Sequence, residues 1–282
     1  MKILIVGGSS SLAQVLRPVL SSFAEVMTAG RSGCDIALDL SWDDDEIQLP
    51  QGLDVVIHLA AHFGGMDFAG ILGAEHVNVL GSLKLCHAAK RAGVEHLVQV
   101  SSIFAGLGED SPFFSSYALS KRHAEDVTRL YCSRANLPLA ILRPAQIYGV
   151  GATFRKHQPF LYGILDKVEK SEEIVFYGSN DARRNLIHAE DVAELIARVV
   201  RLRIQGLYSC PNPVNVRYSE IAAAAINAFR SSSVVRFAPD KPDILDNPFA
   251  PDDRLYRQIE FFPRVSLDLG MEKEAAYRKG LQ

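Results

Sequence analysis

The chain has 282 residues, 48% of them hydrophobic, and a formal net charge of −3 from 30 Lys and Arg against 33 Asp and Glu. That length holds one large α/β domain, or one domain with a smaller lobe, and the composition buries a core easily. Balanced charge with no basic stripe between aromatics argues against nucleic acid as a partner. The first apolar run stops at Val6, far short of a membrane span and with no signal-peptide pattern before it. Cys34, Cys86, Cys132 and Cys210 are scattered and form no CxxC pair, so they read as small core hydrophobes in a reducing compartment. Neither a disulfide framework nor a metal site is expected, and the expected location is the cytoplasm.

The first predicted strand, 2–6, runs into Gly7-Gly8 and a helix over 11–21. A dinucleotide fingerprint counted from Gly7 asks for glycine at the first, fourth and seventh places, and this chain has Gly7, Ser10 and Ala13. Gly7 keeps the tight turn, and a single methyl at Ala13 still lets helix pack on strand. Ser10 adds a Cβ and a hydroxyl where a pyrophosphate would pass, although that hydroxyl could donate to a phosphate oxygen. Two readings stay open here, a cofactor loop and an ordinary strand-turn-helix.

Strands follow at 25–29 and 35–38. The "WDDDE" run at 42–46 reads as a solvated helix start, where carboxylates suit the dipole; metal binding is the weaker alternative, since no histidine accompanies it. Further strands are predicted at 54–59, 95–101 and 139–143, with helices near 67–92 and 115–135. "LDVVIHLA" and "HLVQVSS" are apolar almost throughout, as parallel strands covered on both faces must be. The alternation argues for a doubly wound parallel sheet. Regularity fades beyond about residue 150. There "YSEIAAAAINAFR" reads as a helix with Ser219 as N-cap, and "APDKPDILDNPFAPDD" as a surface excursion.

The stretch "VQVSSIFAGLGEDSPFFSSYALSKRHAE" carries the chemistry. A strand ends at Ser101-Ser102, and Tyr117 and Lys121 follow four residues apart on one helical face. An ammonium beside a phenol favours the phenolate, which draws its pKa from about 10 toward working pH. A serine hydroxyl at the strand's C-terminal end can then bind the oxygen that the tyrosine protonates, because ligands of such sheets lie outside those ends. YxxxK alone usually marks an ordinary exposed helix face. Joined to the strand-end serines and the opening glycine loop, it indicates a site.

With "ILIVGGSSSLA", "DVVIHLAA", "VNVLGSLKLCHAAKRAGVEHLVQVSS", "YALSKRHAE", "LRPAQIYGVG" and "RRNLIHAEDVAELI", the chain resembles the extended short-chain dehydrogenase/reductase family over roughly residues 1–230. The group contains nucleotide-sugar epimerases, dehydratases and 4-keto reductases. The resemblance implies an α/β fold, a Rossmann-type doubly wound parallel sheet with a smaller C-terminal substrate-binding lobe. The dinucleotide-binding domain is expected over 1–150, also receiving roughly 188–203, and the substrate lobe mainly over 151–282. It also resolves the opening loop in favour of a dinucleotide site.

The resemblance implies Tyr117 as general acid/base, with Lys121 lowering its pKa and binding the nicotinamide ribose. The hydroxyl partner is Ser102 counted from the strand end; counting back from Gly106 gives Ser101 instead. Gly7, Ser10, Ser11 and Leu12 are expected at the pyrophosphate, Asp39 and Leu40 at adenine, and Leu59, Ala60 and Ala61 along the cofactor. NAD enzymes carry an acidic residue after the second strand, whereas Arg31-Ser32 stands there. A guanidinium suits a 2′-phosphate, so NADP is expected over NAD, the alternative being that Arg31 is only a surface arginine.

On the substrate side the resemblance implies Gln146 near a sugar diphosphate and Arg184 on the nucleotide phosphate, the latter otherwise a surface ion pair with Asp181 or Glu190. His62, Gly64, Gly65 and Met66 are expected beside the sugar, and His62 and His157 are acid/base candidates that otherwise read as solvated loop histidines. Relatives that epimerise carbons beside a keto group use a cysteine shortly after the strand-end serines, where this chain has Ile103. The expected activity is reduction of a nucleotide-activated keto sugar by a homodimer. The alternatives are an NAD-dependent C4 epimerase and a non-catalytic NADP-sensing protein.

Overall fold

The computed structural model describes residues 1–43 and 46–280. These divide into two compact units, the first made of 1–144, 193–210 and 254–261, the second of 145–192, 211–253 and 262 to the C-terminus.

In the first unit β1 (Lys2–Val6) leads to α1 (Ser11–Ser21), β2 (Glu25–Gly30), β3 (Ile36–Ala37) and β4 (Val55–His58). Then come α2 (Phe68–Ala74), α3 (Gly81–Arg91), β5 (His96–Val100), α4 (Ser116–Ala135) and β6 (Leu139–Pro144). With the strand Gly206–Cys210 they form a seven-stranded sheet in the order Gly206–Cys210, β6, β5, β4, β1, β2, β3. All of its neighbours pair in parallel. The central strands are apolar because both faces are covered: Ile3, Leu4, Ile5, Val55, Val56, Ile57 and Val98 are fully buried. Strand order reverses between β1 and β4. In such sheets the crevice outside the C-terminal strand ends at that point is where ligands bind.

The strands predicted in this unit are all present, each end within one residue of the expected place. Two expectations need correction. The predicted helix over 67–92 is not uniform, because Glu75–Leu80 between α2 and α3 is a π-helical turn in which Gly81 N–H bonds the carbonyl of His76. Beside it the Ser82 hydroxyl donates to the carbonyl of Asn78 four residues back. At "WDDDE", no helix includes Trp42, Asp43 or Glu46, and Asp44 and Asp45 lie outside the described residues.

The second unit is more regular than the sequence suggests. It holds helices Pro159–Glu169, Tyr218–Phe229 and Leu267–Arg278 around buried Tyr162 and Phe176. Three short strand pairs join Gln146–Tyr148 to Leu186–His188, Ile174–Tyr177 to Val235–Ala238, and Arg183–Arg184 to Val216–Arg217. Strands of two to four residues carry too few alternations to show a period, which is why they escape a sequence reading. Ser219 is not the N-cap of its helix; Arg217 holds that position, its N–H donating to Glu220 Oε2 at 2.6 Å. Ser219 sits in the first turn and donates from N–H (3.0 Å) and Oγ (2.5 Å) to Asp181. The Pro- and Asp-rich stretch after Ala238 contains no helix and no strand beyond an isolated bridge at Asn247.

Candidate active site

At the end of β1, Gly7 has φ +87°, and a Cβ there would stand 2.6 Å from the amide nitrogen of Ala60. Leu59 and Ala60 N–H both donate to the Val6 carbonyl, at 2.8 and 3.1 Å, which brings the ends of β1 and β4 together. A Cβ on Gly8 would meet Thr28 Cβ at 2.5 Å. The two glycines therefore serve close backbone approach. Ser10, the departure from the fingerprint, has a job of its own: its Oγ accepts the Ala13 N–H at 3.3 Å and caps α1. The helix start behind it, with Ser11 and Leu12 nearly buried, is a place where backbone N–H groups and the dipole favour an anion.

Beyond β2, Arg31 and Ser32 are exposed. Asp39 accepts from Ser41 N–H (2.9 Å) and Oγ (2.8 Å). Burial alone would raise its pKa, but those bonds and the Arg31 charge hold the carboxyl below its ordinary value. Leu40 is buried against Gly81 of α3, where a Cβ would stand 2.7 Å from Leu40 Cβ.

Ser102, Tyr117 and Lys121 come together. Ser115 caps α4, its Oγ accepting the Ala118 N–H, so Tyr117 lies in the first turn and Lys121 one turn on. The Ser102 side chain lies near enough to the Tyr117 hydroxyl to lower its pKa. Lys121, 4% exposed, donates from Nζ to the Val100 carbonyl at 3.2 Å and lies 5.9 Å from the Tyr117 ring centroid. Burial of the phenol end raises the Tyr117 pKa to about 12, and the Ser102 bond offsets only part of this. Burial lowers Lys121 to about 8, against the pull of Glu125. Burial thus pushes the phenol up and the ammonium down, each toward its neutral form.

Ser101 and Ser102 part company here. Ser101 Oγ donates to the buried Glu125, which also takes a two-pronged pair from Arg143. Ser102 Oγ instead accepts the Phe104 N–H at 3.3 Å and caps the short turn Ile103–Gly106.

Four residues near the triad escape the sequence reading. Asn78, 1% exposed in the π turn, accepts His62 N–H on Oδ1 at 2.7 Å. Its Nδ2 donates to the His62 carbonyl (2.8 Å) and to Ser120 Oγ (2.9 Å). Glu125 continues the four-residue spacing from Tyr117 and Lys121, a signal the sequence does carry. Phe63 stacks on Tyr117, centroids 5.2 Å apart and planes 19° apart. His58, at the end of β4, hydrogen-bonds Ser82 at 2.8 Å, and burial followed by the Lys121 charge lowers its pKa to about 3, so it stays neutral.

His62 Nδ1 accepts the Gly64 N–H at 3.0 Å, and Gly65 is clamped by Ser116, whose Oγ accepts its N–H (3.1 Å) and donates to its carbonyl (2.8 Å). Ala61 is half-buried, and Met66 is 93% exposed. Gln146, Arg184 and His157 lie in the second unit. Gln146 Oε1 is buried with no hydrogen-bond partner. Arg184 donates to the Leu245 and Arg183 carbonyls, both at 2.7 Å, and stacks over Tyr218 at 4.8 Å. The alternative partners are engaged elsewhere, Asp181 with Ser219 and Glu190 with Lys273. Burial lowers the His157 pKa, with a further push from Lys156.

A model of the NAD dependent epimerase/dehydratase family matches residues 3–208. The chain belongs to this family. It is 26% identical over 246 residues to "dTDP-D-glucose 4,6-dehydratase" of Mus musculus, covering 80% of this chain and 68% of that one. It is 25% identical over 249 residues to "dTDP-4-dehydro-6-deoxy-D-allose reductase" of a Streptomyces species, covering 81% and 75%. Among solved structures, UDP-glucose 4-epimerase of Thermus thermophilus in complex with NAD aligns with a TM-score of 0.77 at 21% identity, over 100% of both chains. That likeness shows the fold. Among the described residues, no helix is long and apolar enough to cross a membrane.

Gly64 tests how tightly the family member at hand is braced. Its φ is +74°, and a Cβ would lie 2.3 Å from Ser116 Oγ and 3.0 Å from Tyr117 N. Gly64→Ala is expected to cost about 2 kcal/mol, from left-handed backbone plus displacement of Ser116. Urea unfolding of both proteins measures this; a loss below about 0.5 kcal/mol, within the range of ordinary surface changes, would show that the loop yields freely.

Proposed function

We propose that this chain is an NAD(P)-dependent oxidoreductase that reduces a nucleotide-activated keto sugar, with Tyr117 as general acid. The observation that carries the reading is that Ser102, Tyr117 and Lys121 meet beyond the end of β5, with Lys121 Nζ 5.9 Å from the Tyr117 ring centroid and held by the Val100 carbonyl at 3.2 Å. Gly7, Ser10, Ser11 and Leu12 would hold the pyrophosphate, Asp39 and Leu40 the adenine, and Leu59, Ala60 and Ala61 the adjoining length of the dinucleotide. The close approach of Gly7 to Ala60 and the capped start of α1 fit such a ligand. When bound, the nicotinamide supplies a hydride. Ser102 and Tyr117 bind the carbonyl oxygen, Tyr117 gives that oxygen its proton as negative charge develops, and Lys121 holds a positive charge beneath the ring and binds the nicotinamide ribose.

The turn after Ser102 supports reduction over epimerisation next to a carbonyl. Ile103, Phe104 and Ala105 do not titrate, so none of them can remove a proton from carbon. On the substrate side, within the second unit the orphaned amide oxygen of Gln146 suits a sugar hydroxyl and the guanidinium of Arg184 a phosphate; within the first, His62, Gly65 and Met66 are the residues we assign to the sugar.

Assay of a panel of nucleotide sugars and their 4-keto derivatives is expected to show NADPH consumption with a 4-keto compound. Tyr117→Phe is expected to lower that turnover about 10²- to 10⁴-fold while the dinucleotide Kd changes only a few-fold. Purified protein carrying tightly held oxidised cofactor, with no net consumption, would favour a C4 epimerase instead. Turnover within a few-fold of wild type in Tyr117→Phe would remove the acid.

Arg31 supports a preference for NADP. It is exposed, always protonated, and stands where a 2′-phosphate would lie, while the nearby Asp35 carboxylate is taken by Thr28 N–H and Oγ, both at 2.8 Å. A charge-assisted bond contributes about 1.5–3 kcal/mol, so Arg31→Ala should weaken NADP binding roughly tenfold to a hundredfold and leave NAD nearly unchanged. Calorimetric Kd values for both dinucleotides check this; equal losses, or a wild-type preference for NAD, would refute it.

A homodimer through the α2–α3 and α4 faces belongs to the same reading, because Leu72 (52%), Leu80 (50%) and Leu130 (63%) are exposed there. Sedimentation at micromolar concentration should give twice the chain mass, and a monomer would contradict it.

A further inference from the structure

The end of β5 is tied to α4 residue by residue. Gln99 Oε1 accepts from Thr128 Oγ1 at 2.7 Å, the Val100 carbonyl accepts from Lys121 Nζ at 3.2 Å, and Ser101 Oγ donates to Glu125 Oε1 at 2.5 Å. Lys121, Glu125 and Thr128 stand four and three residues apart, so they share one face of the helix. Glu125 differs from the other two in closing a ring. Ser101 N–H donates to the Leu142 carbonyl on β6 at 2.7 Å. The next residue of β6, Arg143, donates from Nε to both Glu125 oxygens at 2.9 and 3.1 Å, and from Nη2 to Oε2 at 2.5 Å. Ser101 is held by its backbone on one side and by its hydroxyl on the other. The turn beyond Ser102 returns to the same helix, where Arg122 donates from Nε to the Ala105 carbonyl at 3.0 Å and from Nη2 to the Leu107 carbonyl. Ser102 is therefore spanned between two anchors on the helix that carries Tyr117.

From this we infer that Glu125 is a positioning residue: by fixing Ser101 against α4 and β6, it sets the place of the Ser102 hydroxyl relative to Tyr117. The inference rests on the reading of Ser102 and Tyr117 as the pair that binds a carbonyl oxygen. Stability alone is a weak reason for the ion pair. The Glu125 side chain is 2% exposed and that of Arg143 19%, and apolar residues of similar volume fill such a buried site as well as two charges do. What the carboxylate adds is direction, because its lone pairs and the planar fork of Arg143 meet only in a narrow range of geometries. Ser102 is one peptide unit beyond Ser101, so a displacement of the first moves the second. Misplacement by about 1 Å near a reacting centre costs on the order of 10²-fold in rate.

The test reads Tyr117 first and turnover second. Protein carrying tyrosine labelled with carbon-13 at Cζ, the carbon that bears the hydroxyl, gives an NMR line for Tyr117 at neutral pH, identified by its loss in Tyr117→Phe. Ser101→Ala removes the anchoring hydroxyl alone. Glu125→Leu combined with Arg143→Met removes both charges together and leaves no buried ion unpaired. Ser101 is intact in that double variant, so an effect there cannot come from loss of a serine hydroxyl. Each variant, checked as folded by circular dichroism, should shift or broaden the Tyr117 line, and Ser101→Ala decides alone should the double variant not fold. Ile196→Val, a small cavity in the helix Ala189–Arg201 of the same unit, should leave the line in place. On a 4-keto nucleotide sugar that wild type reduces, both variants should lose roughly tenfold to a hundredfold in kcat with KM within about threefold. A Tyr117 line unmoved in either folded variant, equal movement in Ile196→Val, or kcat within about threefold of wild type would overturn the assignment. Absence of wild-type turnover with every keto sugar offered would count against the reductase reading alone, and the Tyr117 line would still decide the place of Glu125.

Discussion

One buried side chain, Asn78, ties together the parts on which the site depends. Its amide holds both backbone groups of His62 and reaches Ser120 on α4, while its own carbonyl is taken by Ser82. An amide buried to this extent must have partners, since leaving it unpaired costs about 1–3 kcal/mol. All its bonds are met only when the loop after β4, the π turn and α4 sit at fixed distances from one another. The reward is that Tyr117 and Lys121 are held from the side as well as by their own helix.

The electrostatics follow from the same burial. A phenol pushed up to about 12 and an ammonium drawn down to about 8 are each displaced toward their neutral forms. Glu125 counters the loss of charge on Lys121 and is itself neutralised by Arg143, with Ser101 completing its shell. The second strand-end serine is thereby left to face Tyr117, so the two adjacent hydroxyls serve opposite sides of the same site.

Much of this is legible in the sequence, because its signals are local. β1, β4 and β5 are apolar almost throughout, and Tyr117, Lys121 and the serine pair lie within twenty-one residues of one another. What escapes depends on long-range contacts. Asn78 looks like an ordinary polar residue in a helical stretch, and nothing in the chain announces that it bonds His62 and Ser120. Phe63 reads as one apolar residue in a glycine-rich loop; only the stacking geometry places it on Tyr117. Ser219 fails as an N-cap because its helix starts two residues earlier, at a boundary that Glu220 stabilises from inside.

The central claim is that Ser102, Tyr117 and Lys121 serve a hydride transfer to a sugar carbonyl. Its most direct test follows the hydride itself, supplying the protein with nicotinamide dinucleotide phosphate deuterated at the transferable C4 position and a 4-keto nucleotide sugar. Mass spectrometry of the product should find one deuterium per molecule, bonded to the new carbinol carbon, with one equivalent of cofactor oxidised. Product that forms without deuterium, or with the dinucleotide unchanged, would contradict the account.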